Sequence, residues 1–170
     1  MHQYIHIFKP LADSVANLIK DFEDMDPSAT VLHGLQRSLQ LDRYSCGVQC
    51  VWMILDYFGR RLPIESIARR LQTDVEGTAV APIRRLLKSR GLITTIIANA
   101  TLRDLKRALR RGFPALVSLS DGEHWAIVYG YSAGSIYVAD PSITKNFWCR
   151  VSRTRYLRQW DKWMMAVSLN

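Results

Sequence analysis

The residues best able to do chemistry in this 170-residue chain are Cys46, His124, Asp140 and Gln40. Cys46 follows Ser45 and opens an apolar stretch, Val48, Val51, Trp52, Ile54 and Leu55, whose spacing predicts a helix stopped at Gly59. A thiol there suits nucleophilic chemistry, because the partial positive charge and free N–H groups of a helix start favour thiolate over thiol. Of the four histidines, His2 and His6 lie in the leading segment and His33 in a linker, whereas His124 opens an apolar strand after a Gly-containing turn. Asp140 ends the next strand. If 124–131 and 135–140 pair through a turn at Ala133-Gly134, their far ends meet and the carboxylate can orient the imidazole. Gln40, six residues before the cysteine, can donate a hydrogen bond toward the same point as the Cys46 backbone N–H. Two such donors form an oxyanion hole. Each residue alone has a plainer reading: a buried thiol, a structural histidine, an Asp-Pro turn, a polar linker residue. Cys50 and Cys149 read as small core residues.

These four must be held by the elements between them. Leu11, Val15, Leu18, Ile19, Phe22 and Met25 share one helical stripe that ends at Asp26-Pro27, and an extended linker runs on to about Gln40. Ser45 is the expected cap of the Cys46 helix, Pro63 fits the first turn of a helix through Leu71, and Thr78 is the expected cap of a helix over Ala81–Arg90. The pattern then turns β-branched at Leu92–Ala98. Thr101 and Asp104 form a capping pair for a helix to Arg111, stopped by Gly112 and Pro114. Strands at Ala115–Leu119, His124–Tyr131 and Ser135–Asp140 follow with turn signals between them, which predicts an antiparallel meander. A last strand, helix and strand occupy Phe147–Leu169. Helices first and a mostly antiparallel sheet later make the class α+β.

Composition narrows the partners. Hydrophobic residues make up 48% and charged residues 22%, as in a globular chain. Burying roughly 70% of its unfolded surface, a chain of this length needs no metal or disulfide staple. The longest apolar run, Cys50–Leu55, is far short of the ~20 residues of a membrane span. No secretory signal is visible, so the expected location is the cytoplasm. Three cysteines without metal-ligand spacing imply neither zinc nor a disulfide framework. The formal charge of +8 is uneven. Residues 1–30 hold Lys9 and Lys20 against Asp13, Asp21, Glu23, Asp24 and Asp26, a net of −3, so residues 31–170 carry +11. Basic pairs such as Arg69-Arg70, Arg84-Arg85 and Arg110-Arg111 fall on the polar sides of the expected helices. No Gly-rich phosphate loop, zinc-finger spacing or paired aromatic motif accompanies them, so nucleic acid is not the expected partner.

The stretch Gln40-Leu-Asp-Arg-Tyr-Ser-Cys46-Gly47, running into a helix that ends Asp56-Tyr57-Phe58-Gly59, resembles the double-glycine-leader cysteine peptidases. These papain-like domains stand at the N-terminus of bacteriocin-exporting ABC transporters and also occur as free-standing proteins. The resemblance continues through Gly77-Thr78, Arg90-Gly91-Leu92 and Gly112-Phe-Pro114 to His124-Trp125 and Asp140-Pro141, covering about residues 35–168. It implies a papain-like fold with Cys46 as nucleophile and His124 as its base, later the acid for the leaving amine. Asp140 would orient His124, and Gln40 would complete the oxyanion hole. No cofactor or metal is implied. Family members cut after a Gly-Gly pair at the end of a leader peptide, which calls for a narrow cleft; Trp125 and Tyr44, beside the catalytic positions, are the candidates to narrow it. Two positions depart from the family pattern: Ser45, where an acidic residue is frequent, and Cys50, where a small apolar residue is usual.

The expected organisation is an N-terminal amphipathic helix and linker over residues 1–34, with a regulatory role, and a stand-alone peptidase domain over 35–170. The expected partners are a peptide or protein substrate with small residues at the cleavage site, and a transporter. Two other functions fit the same residues: a papain-like protease toxin or effector delivered into a target cell, and a catalytically silent leader-binding module. All nine glycines are isolated, so the chain has no Gly-Gly site at which to cut itself.

Overall fold

The computed structural model describes residues 26–40, 42–142 and 150–170. Its centre is an antiparallel sheet of β1 (Thr30–Val31), β2 (Leu92–Ile97), β3 (Ala115–Leu119), β4 (His124–Tyr131), β5 (Ser135–Ala139), β6 (Arg150–Ser152) and β7 (Trp160–Leu169). The order across the sheet is β2-β7-β3-β4-β5-β6, and β1 pairs with the far end of β4 at Gly130 and Tyr131. Helices cover both faces. On one side α1 (Cys46–Tyr57), α2 (Ile64–Leu71) and α3 (Val80–Ser89) pack with Leu116, Ile127, Ala139, Met165 and Val167. On the other, α4 (Leu102–Arg110) and α5 (Arg153–Gln159) pack with Val117, Leu119, Ala126, Val128, Ile136 and Met164. Alternate residues of β3, β4 and β7 therefore enter different cores. Burial on both faces explains why β3 and β5 are buried at every position and do not alternate apolar with polar residues.

The meander β3-β4-β5 matches the expected strands, with β5 ending one residue earlier at Ala139. The strand at the chain's end, β7, slides between β2 and β3. Its buried Met164 and Met165 contribute to opposite cores. The capping pair of α4 is present in full: Asp104 N–H donates to Thr101 Oγ1, and Thr101 N–H donates to Asp104 Oδ2. Two other expected caps are not formed. Neither Ser45 nor Thr78 makes a side-chain cap bond, because α3 starts after Ala79 and the α1 entrance is held by another residue. Pro63 stands immediately before α2 rather than inside its first turn.

Residues 26–34, part of the expected extended linker, contribute β1 and the buried Leu32, whose N–H donates to the Tyr129 carbonyl. The helix expected over residues 11–25, residues 147–149 of the last expected strand run and Cys149 lie outside the described residues. Among the described residues no helix is long and apolar enough to cross a membrane.

Candidate active site

Asp42 holds the entrance to α1. Its Oδ1 accepts hydrogen bonds from the Tyr44 and Ser45 N–H groups at 2.9 and 2.7 Å. Burial raises its carboxyl pKa, but these bonds outweigh that and leave it below the ordinary carboxylate value. The turn so fixed delivers Cys46 as the first residue of a helix that buries nine of its residues. The next residue has to be glycine: a Cβ on Gly47 would sit 2.6 Å from Thr78 Cβ. That contact presses the tight 73–78 turn, closed between Asp74 and Gly77, against the helix start. Thr78 Oγ1 hydrogen-bonds Thr73 Oγ1, and the Thr78 carbonyl accepts from Trp125 Nε1 at 2.9 Å. The turn is thus tied both to α1 and to β4.

His124 and Asp140 meet because of a one-residue bulge. Tyr131 pairs with Ile136 and Gly130 with Tyr137, but beyond Tyr129 the register slips, so that Val128 faces Val138 and Ile127 faces Ala139. Continued without the slip, the ladder would set Asp140 opposite Ile127, on the side of the sheet away from His124. With the slip, Asp140 comes one residue past Ala139, level with Ala126 and on the side that His124 shares. The result is a buried contact of 2.6 Å between His124 Nε2 and Asp140 Oδ1, with the Ser142 N–H donating to the same oxygen at 2.8 Å. With Nε2 engaged by Asp140, the other ring nitrogen, Nδ1, is the one left to serve Cys46, whose proximity also raises the His124 pKa.

Burial by itself would push the His124 pKa down. The hydrogen bonds to Asp140 and Cys46, together with their negative charges, overcome that and raise it from 6.5 to about 9. Near neutral pH the imidazole is therefore held as imidazolium between a carboxylate and the sulfur. Cys50, one turn along α1, is fully buried; burial, then the charges of Cys46 and Asp140, push its thiol well above the ordinary range. It stays a neutral core thiol, as its sequence context suggested.

Gln40 arrives by a different route. Its backbone N–H donates to the Pro141 carbonyl, which stitches the approach to α1 onto the end of β5 beside Asp140. One N–H of its side-chain amide donates to the Asp42 carbonyl at 2.7 Å, and Oε1 is buried without a hydrogen-bond partner. All four sequence-derived residues are thus gathered around one helix end and two strand ends. Tyr44 and Trp125 both line the cleft of about 260 Å3 that opens on Cys46, with Arg43, Glu76, Gly77, Thr78, Gly122 and Glu123 around them. Arg69, Arg70, Arg84, Arg85 and Lys88 face solvent on α2 and α3, as expected of the basic pairs, and the cleft lining itself sets one basic residue, Arg43, against Glu76 and Glu123. Among the described residues no group of three His, Cys, Asp or Glu side chains could hold a metal ion.

Sequence reasoning missed the role of Asp42 and misread that of Thr78. Asp42 had a readable signal, an acidic residue four positions before an apolar helix; Thr78, expected as a cap, acts instead through its carbonyl and its bulk.

This fold defines the class: a papain-like cysteine peptidase. The chain belongs to the peptidase C39 family, whose model matches residues 35–170. It is 24% identical over 122 residues, 71% of its length, to the lactococcin transport/processing ATP-binding protein LcnC-like of Lactococcus lactis. That match spans 17% of the relative, so the chain corresponds to less than a fifth of it. Two solved structures share the fold. A double glycine motif protease from an AMS/PCAT transporter, in complex with its leader peptide, superposes with a TM-score of 0.69 at 15% identity over 79% of this chain and 91% of that one. The peptidase domain of Streptococcus ComA, a bifunctional ABC transporter of a quorum-sensing pathway, gives 0.68 at 19% identity over 80% and 99%.

Proposed function

We propose that this chain hydrolyses a peptide bond after a Gly-Gly or similar small-residue pair, releasing a leader from a bacteriocin-like precursor. The observation that carries the reading is His124, whose Nε2 meets the Asp140 carboxylate at 2.6 Å and whose pKa is raised to about 9 under the influence of Asp140 and Cys46. In this mechanism the Cys46 sulfur attacks the scissile carbonyl carbon. The negative oxygen that develops is met by the Cys46 backbone N–H and by the second N–H of the Gln40 amide. The C–N bond then breaks as His124 passes its proton to the leaving amine, which leaves the leader joined to Cys46 as a thioester. Water attacks the thioester carbonyl and gives a proton to His124. The leader departs with a free carboxylate, and the thiolate–imidazolium pair is restored. Asp140 keeps Nε2 engaged throughout, so that Nδ1 always faces the sulfur.

Support for small residues at the cut comes from the crowding around Cys46. Thr78 stands against Gly47 and is tied to Trp125, and Tyr44 and Trp125 both line the opening on Cys46, which favours small residues beside the sulfur. The relatives named above place such a domain within transport/processing proteins, which supports a transporter as the working partner and the cytoplasm as the location. Residues 1–34 precede the peptidase domain of 35–170, and Thr30–Leu32 of this segment dock on β4.

The test is mass spectrometry of products from peptides with Gly-Gly, Gly-Ala and Gly-Ser pairs. Cleavage after the pair by the wild type, and none by Cys46→Ala, is the expected result. Cleavage that persists in Cys46→Ala would sink the mechanism.

A further inference from the structure

The turn that joins β3 to β4 is costly to form by itself. Ser120 and Asp121 have φ of 59° each and Gly122 has 88°, three successive residues in the left-handed region, of which only the glycine adopts it without a steric penalty. A tight turn can gather successive backbone N–H groups into a concave anion-binding nest, and here the Asp121 and Gly122 N–H groups converge in this way. Here the nest is filled from within the chain. Asp161 Oδ1 accepts from Asp121 N–H, and Oδ2 accepts from Gly122 N–H, both at 2.9 Å, while Ser118 Oγ donates to Oδ2 at 2.6 Å.

Asp161 reaches the turn because β7 is irregular at that point. Its pairing with β3 shifts between Val117 and Leu119, where Leu119 faces Trp160, and Lys162 takes a φ of 55°. An irregularity of this kind re-aims one side chain out of the ladder. The Ser120 N–H, donating to the Gln159 carbonyl, secures the same corner through the backbone. On its other side the turn faces the catalytic cleft: Gly122 and Glu123 line the opening on Cys46, and His124 follows at once. Asp121, Gly122 and Asp161 also border a wider hollow of about 490 Å3 whose apolar walls are Val80, Trp125 and Trp163. One carboxylate therefore fixes the rim shared by both openings.

We propose that Asp161 is a positioning residue of the peptidase site, holding the Ser120–Glu123 turn in its left-handed form so that its edge shapes the substrate cleft. The inference rests on the peptidase reading above. His124 is placed independently, by its pairing with Leu119 and by Asp140, so loss of Asp161 acts on peptide binding rather than on the Cys46–His124 pair.

The experiment compares wild type, Asp161→Ala, Asp161→Asn and Asp161→Ala combined with Ser120→Gly and Asp121→Gly. Cleavage of the peptide that the wild type cuts best is followed as KM and kcat, alongside the pH dependence of Cys46 alkylation by iodoacetamide. Asp161→Ala is expected to raise KM about tenfold, the scale of one lost hydrogen bond to a charged acceptor. In that variant kcat stays within about twofold and the alkylation profile does not move. Asp161→Asn, which keeps one acceptor oxygen, raises KM less. The two glycines, which adopt the turn without the carboxylate's help, recover most of the wild-type KM. An unchanged KM in Asp161→Ala overturns the inference. So does a loss confined to kcat, or a shifted alkylation profile. Should Asp161→Ala not fold, an unchanged KM in Asp161→Asn overturns it equally. If the wild type cuts none of the peptides, the peptidase reading falls and takes this inference with it, whereas normal wild-type cleavage with insensitive variants removes the inference alone.

Discussion

Replacing Asp140 by Asn tests whether His124 is held as an imidazolium, and the structure sets the size of the effect. The His124 pKa rises from 6.5 to about 9, which corresponds to about 3 kcal/mol favouring the protonated ring in the folded state. Because the folded value lies above the unfolded one, this contribution is fully present below about pH 6.5. It drains away as the pH climbs, and is gone above about pH 9. In Asp140→Asn the amide oxygen can still accept from Nε2, but the negative charge has gone. Burial, the largest single influence on the ring, then works against the proton, so the variant lacks the contribution at every pH.

The assay is urea unfolding of both proteins from pH 6 to pH 10. Groups elsewhere titrate alike in the two proteins and cancel in the difference. Wild type should exceed the variant by about 3 kcal/mol more at pH 6 than at pH 10, with the gap closing mainly between pH 7 and pH 9. NMR titration of the His124 ring gives an independent reading, with a midpoint near 9 in wild type and a clearly lower one in the variant. A gap that stays constant across the range, or a wild-type ring that titrates near its ordinary 6.5, would refute the imidazolium assignment and remove the main support for the proposed mechanism.

Gly47→Ala should destabilise the fold by about 1–3 kcal/mol, since its new Cβ meets Thr78 Cβ at 2.6 Å and neither α1 nor the 73–78 turn can retreat cheaply; calorimetry checks this, and an unchanged Tm would show that the contact is soft. Deleting Tyr129 removes the bulged residue but leaves Ile127 facing Ala139 and Gly130 facing Tyr137. The shortened chain should lose several kcal/mol with the aromatic ring yet keep the His124 midpoint near 9; a folded variant whose His124 titrates near 6.5 would contradict the register argument.

Much of the site was legible because its parts lie at element ends, where sequence signals are strongest. Cys46 opens a strongly apolar helix, and His124 follows a Gly-containing turn. The Thr101/Asp104 capping pair was readable for the same reason: a cap is a local bond between residues three apart. Ser45 and Thr78 misled because a hydroxyl before a helix has other uses. Thr78 spends its hydroxyl on Thr73, and Asp42 already occupies the N–H groups that lead into α1. The position of β7 was not readable. Which neighbours a strand takes is settled by long-range packing on both faces, and nothing local in Trp160–Leu169 encodes it. Asp161 was hidden for the same reason, since its partners lie about forty residues earlier in the chain.

The Asp140 assignment shows how a pairing argument can reach the right partner for an incomplete reason. Two strands joined by a short turn do bring their far ends together, and that much follows from the Ala133-Gly134 turn. Proximity is not orientation, however. Side chains alternate with a period of two, so of the two possible registers only one turns the carboxylate to the side of His124. The choice is made by a single extra residue, Tyr129, whose ring packs against both cores and against Tyr137 and so holds the slip in place. Neither neighbour of Tyr129 announces a bulge: Val128 is an ordinary strand residue, and Gly130 is equally explained by β1, whose Thr30 carbonyl would lie 2.8 Å from any Cβ there. A substitution at Tyr129 that let residue 129 enter the ladder would move Asp140 opposite Ile127 and away from His124, whereas deleting the residue leaves the pairing of β4 with β5 as it is.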